Sequence, residues 1–248
     1  MDTSPAIRFD HVTKAFGPQK VLDDISFEAL PGTAFCIMGR SGSGKSVTLK
    51  QLIGLIRPDE GRIYIGEEEI TQMNNRDLSR VRKKMGFLFQ YSALFDSITI
   101  GENVAFPLRR HTGKLEEEIQ QAVQDRLEEV GLAGHAHKMP TQVSGGMRKR
   151  AGLARALALG PSILLVDEPS SGLDPITSAE IDELLLELKL RKKTTLIVVT
   201  HNIPSAKRIG DTLALLHQGR ILEQGSASQL EQSAHDIVRG FMKVQGGT

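Results

Sequence analysis

Cysteine occurs once in this 248-residue chain, so an internal disulfide framework is excluded. Cys36 falls inside the apolar run Ala34-Phe35-Cys36-Ile37-Met38, where a small core residue is expected, and a lone thiol suits a reducing compartment. Charge of one sign is not in excess: 31 Lys and Arg face 30 Asp and Glu, which leaves no electrostatic footprint for nucleic acid. Long hydrophobic runs are also missing. None approaches the roughly 20 apolar residues that span a bilayer, and the longest, Ile163-Leu164-Leu165-Val166 and Leu196-Ile197-Val198-Val199, have the length of strands. If the protein works at a membrane, another chain must do the spanning. Met1-Asp2-Thr3-Ser4-Pro5 lacks the basic and apolar regions of a secretory signal. No internal repeat or low-complexity segment is present.

What is there begins with Gly39-Arg40-Ser41-Gly42-Ser43-Gly44-Lys45-Ser46, which fits the eight-residue phosphate-binding loop. Its glycines let the backbone curl with N–H groups pointing inward, a nest for anionic oxygens. Lys45 can reach the β- and γ-phosphates of a nucleoside triphosphate, and the Ser46 hydroxyl can sit on Mg²⁺. A helix starting at Lys45 aims its positive end at the same phosphates. The flanks agree. The apolar run 34–38 precedes the loop as a buried strand. After it, apolar residues at 49, 52, 53 and 56 carry helical spacing until Arg57-Pro58-Asp59-Glu60-Gly61 stops the helix.

Elsewhere, Ile7-Arg8-Phe9 and Ile25-Ser26-Phe27 read as strands, with Gly17-Pro18 and Pro31-Gly32 as turns. Residues 61–66 are extended, and Gly86-Phe87-Leu88-Phe89 is a strand ending at Gln90. Residues 92–160 are helical and charged. Strand-like runs return at 162–167, 194–199, 211–216 and 220–222. The helix after Pro175 puts Ile181, Leu184, Leu185 and Leu188 on one face and Glu180, Asp182, Glu187 and Lys189 elsewhere. The order is strands, phosphate loop, helical insertion, then a parallel α/β core. Two further motifs belong to that core and its insertion. Ile163-Leu164-Leu165-Val166-Asp167-Glu168-Pro169 places Asp167 at the tip of a buried parallel strand, where it can hold Mg²⁺, with Glu168 beside it to orient or deprotonate an attacking water. Val143-Ser144-Gly145-Gly146-Met147 turns into a helix and makes a second anion-binding N-terminus.

With these motifs in this order, the chain resembles the nucleotide-binding ATPase subunits of ABC transporters. The resemblance implies a phosphate-loop fold with a RecA-like core, an N-terminal antiparallel β subdomain and an inserted helical subdomain. It implies one ATPase domain over 1–248: a β-rich part with the phosphate loop (1–91), the helical subdomain (92–160), the rest of the core (161–225) and a tail (226–248). Gln90 matches the glutamine that links Mg²⁺ and the attacking water to the membrane partner. Ser171-Gly172-Leu173-Asp174 matches the loop along the dimer seam, and His201 the histidine that contacts the γ-phosphate. Phe16 stands where the family usually stacks a tyrosine on adenine, so ATP is the expected nucleotide. Two copies are expected to pair head to tail, each ATP lying between the phosphate loop of one and Ser144-Gly145-Gly146 of the other.

Three local traits are similar to the ATPases of MCE-associated, Mla-type lipid transport systems: Val47, where threonine is usual; Met147 followed by Arg148-Lys149-Arg150; and the segment Phe89 to Leu108. That resemblance implies a permease in the bacterial inner membrane, an MCE-domain lipid-binding protein, often a small STAS-domain regulator, and a peripheral position on the cytoplasmic face. Leu94, Phe95, Ile98, Ile100, Val104 and Phe106 crowd a stretch that Gly101 and Pro107 should keep irregular. It is either a groove for a permease helix or packing within the helical lobe. His111, His135 and His137 read as solvated, Glu116-Glu117-Glu118 as a wet helix face, and Arg148-Lys149-Arg150 as serving the ATP interface or an adjacent protein. Ile237, Val238, Phe241 and Met242 need burial, on this domain or on a second subunit. The rival readings are a small-solute importer and a soluble ATPase serving a cytosolic scaffold.

Overall fold

In the computed structural model, residues 4–243 are described. Strands β1 (Ile7–Phe16) and β2 (Gln19–Ala29) pair antiparallel across the Gly17-Pro18 turn. The chain then leaves for a second sheet through β3 (Ala34–Met38), passes into α1 (Lys45–Leu52), and returns as β4 (Glu60–Ile65) and β5 (Glu68–Glu69) to complete a sheet ordered β2-β1-β4-β5. Helix α2 (Asn75–Arg82) and β6 (Met85–Leu88) lead to a lobe of three helices, α3 (Ile100–His111), α4 (Glu116–Glu129) and α5 (Gly145–Leu157). Then come β7 (Ile163–Asp167), α6 (Pro175–Lys192), β8 (Thr195–Thr200), α7 (Ile203–Ile209), β9 (Thr212–His217), β10 (Arg220–Gly225), α8 (Ala227–Glu231) and α9 (Asp236–Lys243).

The second sheet is ordered β10-β9-β3-β8-β7-β6 and is parallel apart from β10. Both of its faces are covered, which is why its strands read as unbroken apolar runs. Ala34, Cys36, Met38, Leu164, Val166, Leu196 and Val198 join a core shared with the helices. Their alternates Phe35, Ile37, Ile163, Leu165, Ile197 and Val199 pack with α1 and the antiparallel sheet. The Phe9, Phe27 and Phe35 rings stack in series at 4.6 and 4.7 Å, joining the two sheets. Cys36 is fully buried on the helix side, and burial pushes its thiol up to about 12. The folded protein is therefore expected to resist iodoacetamide until it unfolds. Rapid alkylation under native conditions, followed by mass spectrometry, would contradict that burial.

Two sequence expectations are corrected, and others are filled in. The helix after the phosphate loop ends at Leu52 and does not reach Ile56, because Gly54 adopts φ +64° and turns the chain away. Residues 100–111 form a regular helix despite Gly101 and Pro107. Thr99 caps it by accepting from the Glu102 N–H, while the buried Asn103 amide bonds Phe95, Ile98 and Thr99 backbone. Asp182 and Lys189, read as lying off the apolar stripe of α6, are buried. Asp182 accepts from Ser205 Oγ at 2.6 Å, and Lys189 Nζ donates to the Ile209 carbonyl at 2.8 Å and to Asp211 at 3.1 Å. Within the basic triplet, Lys149 is buried, Arg148 donates to the Val143 carbonyl, and Arg150 donates to the Val130 carbonyl and to Glu180. The tail folds back on its own domain through α8 and α9, burying Val238 and Met242; residues 244–248 lie outside the described part.

Candidate functional site

Strand order brings the motifs together. β3, β8, β7 and β6 lie side by side and parallel, with Met38 opposite Thr200, Val199 opposite Asp167, and Val166 opposite Leu88. The chain leaving their C-terminal ends therefore meets at one edge: the phosphate loop after β3, His201 after β8, Glu168 after β7 and Gln90 beyond β6. Such an edge is where ligands bind in open α/β sheets. A cleft of about 840 Å³ lies there, walled by Gly39–Gly42, Gly44–Val47, Gln90, Glu168 and His201.

Close packing excludes a side chain at two of the loop's glycines. A Cβ on Gly39 would fall 2.4 Å from the Leu216 carbonyl, and one on Gly44, at φ +105°, would fall 2.8 Å from the Val21 carbonyl. Gly44 offers α1 no side-chain cap and the first turn holds no acid, so the helix presents its N-terminus to the cleft. Lys45 Nζ donates to the Gly39 and Arg40 carbonyls at 2.8 and 3.0 Å and lies 3.6 Å from Glu168 Oε1. Burial moves its pKa down against the pull of Glu168 and Asp167. Ser43 packs beneath the loop against Gly39.

Ser46 Oγ donates to Asp167 Oδ1 at 3.2 Å. Burial raises the Asp167 pKa, opposed by that hydrogen bond. A hydroxyl and a carboxylate beside a phosphate cradle are the hard oxygen ligands that suit Mg²⁺, which takes one or two carboxylates and completes its shell from phosphates and water. Gln90 Nε2 donates to Ser171 Oγ at 3.2 Å at the edge of the same cleft. Glu168 sits at φ +46° with its side chain turned to β8. Its Oε2 accepts from Thr200 Oγ1 and the His201 N–H, both at 3.2 Å, and lies 2.8 Å from His201 Nδ1. A buried carboxylate held in this way at the phosphate end of a cleft can take a proton from a water.

Other expected residues lie outside the cleft of their own chain. Phe16 ends β1, half exposed, with Lys14 Nζ 5.4 Å from its ring centroid, and Val21 lines the cleft wall. Ser144 caps α5 by accepting from the Met147 N–H, Gly145 is exposed, and a Cβ on Gly146 would fall 2.4 Å from Thr177 Cγ2. Asp174 caps α6, accepting from the Ile176 and Thr177 N–H groups at 3.0 Å; the Thr177 hydroxyl bond leads the causes that lower its pKa.

Two features escaped sequence reasoning. Ile237 and Phe241 of α9 line the far side of the cleft; they were legible only as an apolar cluster needing burial. Lys149 Nζ donates to the Gln90 carbonyl at 2.5 Å and the Glu168 carbonyl at 3.3 Å, and burial pushes its pKa down to about 8. Its one signal was position: four residues past Gly145 it returns to the inner face of α5.

Comparison with known proteins shows the family. The family profile described as ABC transporter matches residues 22–171. The intermembrane phospholipid transport system ATP-binding protein MlaF of Haemophilus influenzae is 39% identical over 96% of this chain and 90% of its own length. A probable ribonucleotide transport ATP-binding protein, mkl, of Mycobacterium tuberculosis is 42% identical over 96% of this chain, which spans 66% of that protein. Among solved structures, the ATP-binding cassette MJ0796, a dimer in a post-hydrolysis state bound to ADP and Pi, superposes with a TM-score of 0.82 at 32% identity, covering 89% of this chain and 98% of that one. The chain belongs to the ABC transporter family: it is an ATP-binding cassette, an ATPase that works on ATP with Mg²⁺.

Proposed function

We propose that this ATPase is the motor subunit of a transporter that moves phospholipid between membranes, bound peripherally to the cytoplasmic face of a bacterial inner membrane. The observation that carries the motor reading is the convergence of Lys45, Ser46, Asp167, Glu168 and His201 at adjacent strand ends. Similarity to MlaF along nearly the whole chain supports phospholipid as cargo, as do Val47 and Met147-Arg148-Lys149-Arg150.

In this reading, the backbone of residues 39–44, the start of α1 and Lys45 hold the phosphates, and Phe16 offers its ring to adenine. Ser46 and Asp167, with Gln90 nearby, would hold Mg²⁺, which when bound neutralises phosphate charge. Glu168 accepts a proton from the attacking water on a carboxylate oxygen that His201 orients, as ADP and phosphate form. Little covalent chemistry falls to the protein, so positioning and charge carry the reaction. Ser144-Gly145-Gly146 and Asp174 act in trans, on the ATP of a second copy paired head to tail, an isologous arrangement. Residues 92–160 serve as the inserted subdomain of a single cassette spanning 1–248.

That subdomain also carries the surface proposed for the permease. Phe95 and Phe106 are 45% and 49% exposed with ring centroids 5.1 Å apart, while Ile100 and Val104, from the same apolar cluster, are buried. With Ile98 and the Glu102–Arg109 ion pair they flank an open groove of about 550 Å³ that suits a helix end. Phe95→Asp should weaken association with the permease by about 30-fold or more, as expected for an aromatic anchor, and leave intrinsic ATPase near normal. Equal loss of both, read by co-purification and by ATPase assay, would count Phe95 as core. An MCE-domain lipid-binding protein and a STAS-domain regulator complete the proposed assembly.

The test is the membrane complex in vesicles. ATP should drive net movement of a fluorescent phospholipid into or out of the bilayer, and Glu168→Gln should abolish it. Stimulation of ATPase by a ribonucleotide, with no lipid movement, would favour the second reading, a small-solute importer, which the name carried by the mycobacterial relative suggests.

A further inference from the structure

Three non-glycine residues around the cleft hold left-handed backbone: Ser92 at φ +61°, Ala93 at φ +47° and Glu168 at φ +46°. Such conformations persist only where the surroundings impose them. All three carbonyls are held by cations from one helix. Arg155 of α5 donates to the Ser92 carbonyl at 2.7 Å and the Ala93 carbonyl at 2.6 Å. Lys149, six residues earlier on the same helix, donates to the Glu168 carbonyl at 3.3 Å and the Gln90 carbonyl at 2.5 Å. Helix and segment are in close contact: a Cβ on Gly152 would fall 3.0 Å from Ser92 Cβ.

From this geometry we propose that Lys149 is a positioning residue for hydrolysis, a strut by which the helix that begins at the Ser144 turn fixes Gln90 and Glu168 relative to each other. The proposal rests on the roles given to Glu168 and Gln90 above. Gln90 follows β6 and Glu168 follows β7, on separate stretches of chain, and one ammonium bonds the backbone of both. Lys149 is 2% exposed, so water does not readily take over its bonds. It is not on the cleft wall, and its hydrogen bonds go to the Gln90 and Glu168 carbonyls. Its bonds therefore act on the placement of the Glu168 carboxylate and the Gln90 amide, and not directly on the nucleotide. Because the same helix starts at Ser144-Gly145-Gly146, a shift of that turn is passed through Lys149 to both residues.

The experiment compares Lys149→Met, which keeps length and loses the donor, with Lys149→Gln, which can still donate to one carbonyl, in the full chain. Steady-state ATPase, Mg-ATP affinity by calorimetry and thermal unfolding are read together. Lys149→Met is expected to lower kcat by ~10–100-fold, the scale of a small misplacement of a reacting group. KM and ATP affinity should stay within about threefold, the mark of an interaction expressed in the transition state. Lys149→Gln should recover part of kcat. A normal kcat in folded Lys149→Met overturns the proposal. So does a rise in KM matching the fall in kcat/KM, or a loss that only tracks unfolded protein in both variants. Glu168→Gln is measured alongside: if it retains turnover, the reading of the site fails, whereas an inactive Glu168→Gln beside a normal Lys149→Met condemns the strut alone.

Discussion

Glu168→Gln is expected to bind ATP like the parent chain and to hydrolyse it at least ~100-fold more slowly, since a positioned general base contributes typically 10²–10⁴. The substitution keeps the volume of a side chain that is 7% exposed and keeps an oxygen for the Thr200 and His201 donors. What it removes is the carboxylate charge and the ability to take a proton. Binding should survive because the phosphate cradle is built from the loop backbone and Lys45, not from Glu168. Calorimetry of Mg-ATP binding beside single-turnover hydrolysis separates the two effects. Turnover near the parent value would strip Glu168 of its role.

Lys45→Met should act at the opposite step, weakening Mg-ATP binding by roughly 100-fold, or about 2.7 kcal/mol. Met reproduces the length of the buried stem and removes an ammonium placed 3.6 Å from Glu168 and bonded to two loop carbonyls. The loss has two parts. The phosphates forfeit charge-assisted hydrogen bonds, and Glu168 loses its nearest cation, which makes anionic ligands less welcome in the cleft. Titration calorimetry on the folded variant reads this directly. Affinity within about threefold of the parent would show that loop backbone and helix terminus suffice without the lysine.

Among the elements legible in the sequence, three central strands stood out because their environment is uniform. β3, β7 and β8 are buried on both faces, so their apolar runs and C-terminal motifs stood out, and the parallel order then forced Lys45, Asp167, Glu168 and His201 to one edge. Helix α2 passed unnoticed because only Leu78 and Val81 are buried in it; its start was written in the Asn74 cap and not in periodicity. Pro107 misled because the spacing of Thr99 and Glu102, a helix-start signal, outweighed it. The burial of Asp182, Lys189 and Lys149 was not legible, for a shared reason. Each is a charged side chain buried against partners from distant segments, Ser205, Asp211 and the Gln90 carbonyl respectively, and no local pattern announces such pairing.

The central claim is that this cassette drives lipid movement through a membrane partner. Its most direct test is purification of the native protein from membranes in mild detergent, with identification of every chain and lipid that accompanies it. The account predicts a permease, an MCE-domain protein and bound phospholipid. Recovery from the cytosol alone, with a scaffold protein and no permease, would contradict it while leaving the ATPase chemistry in place.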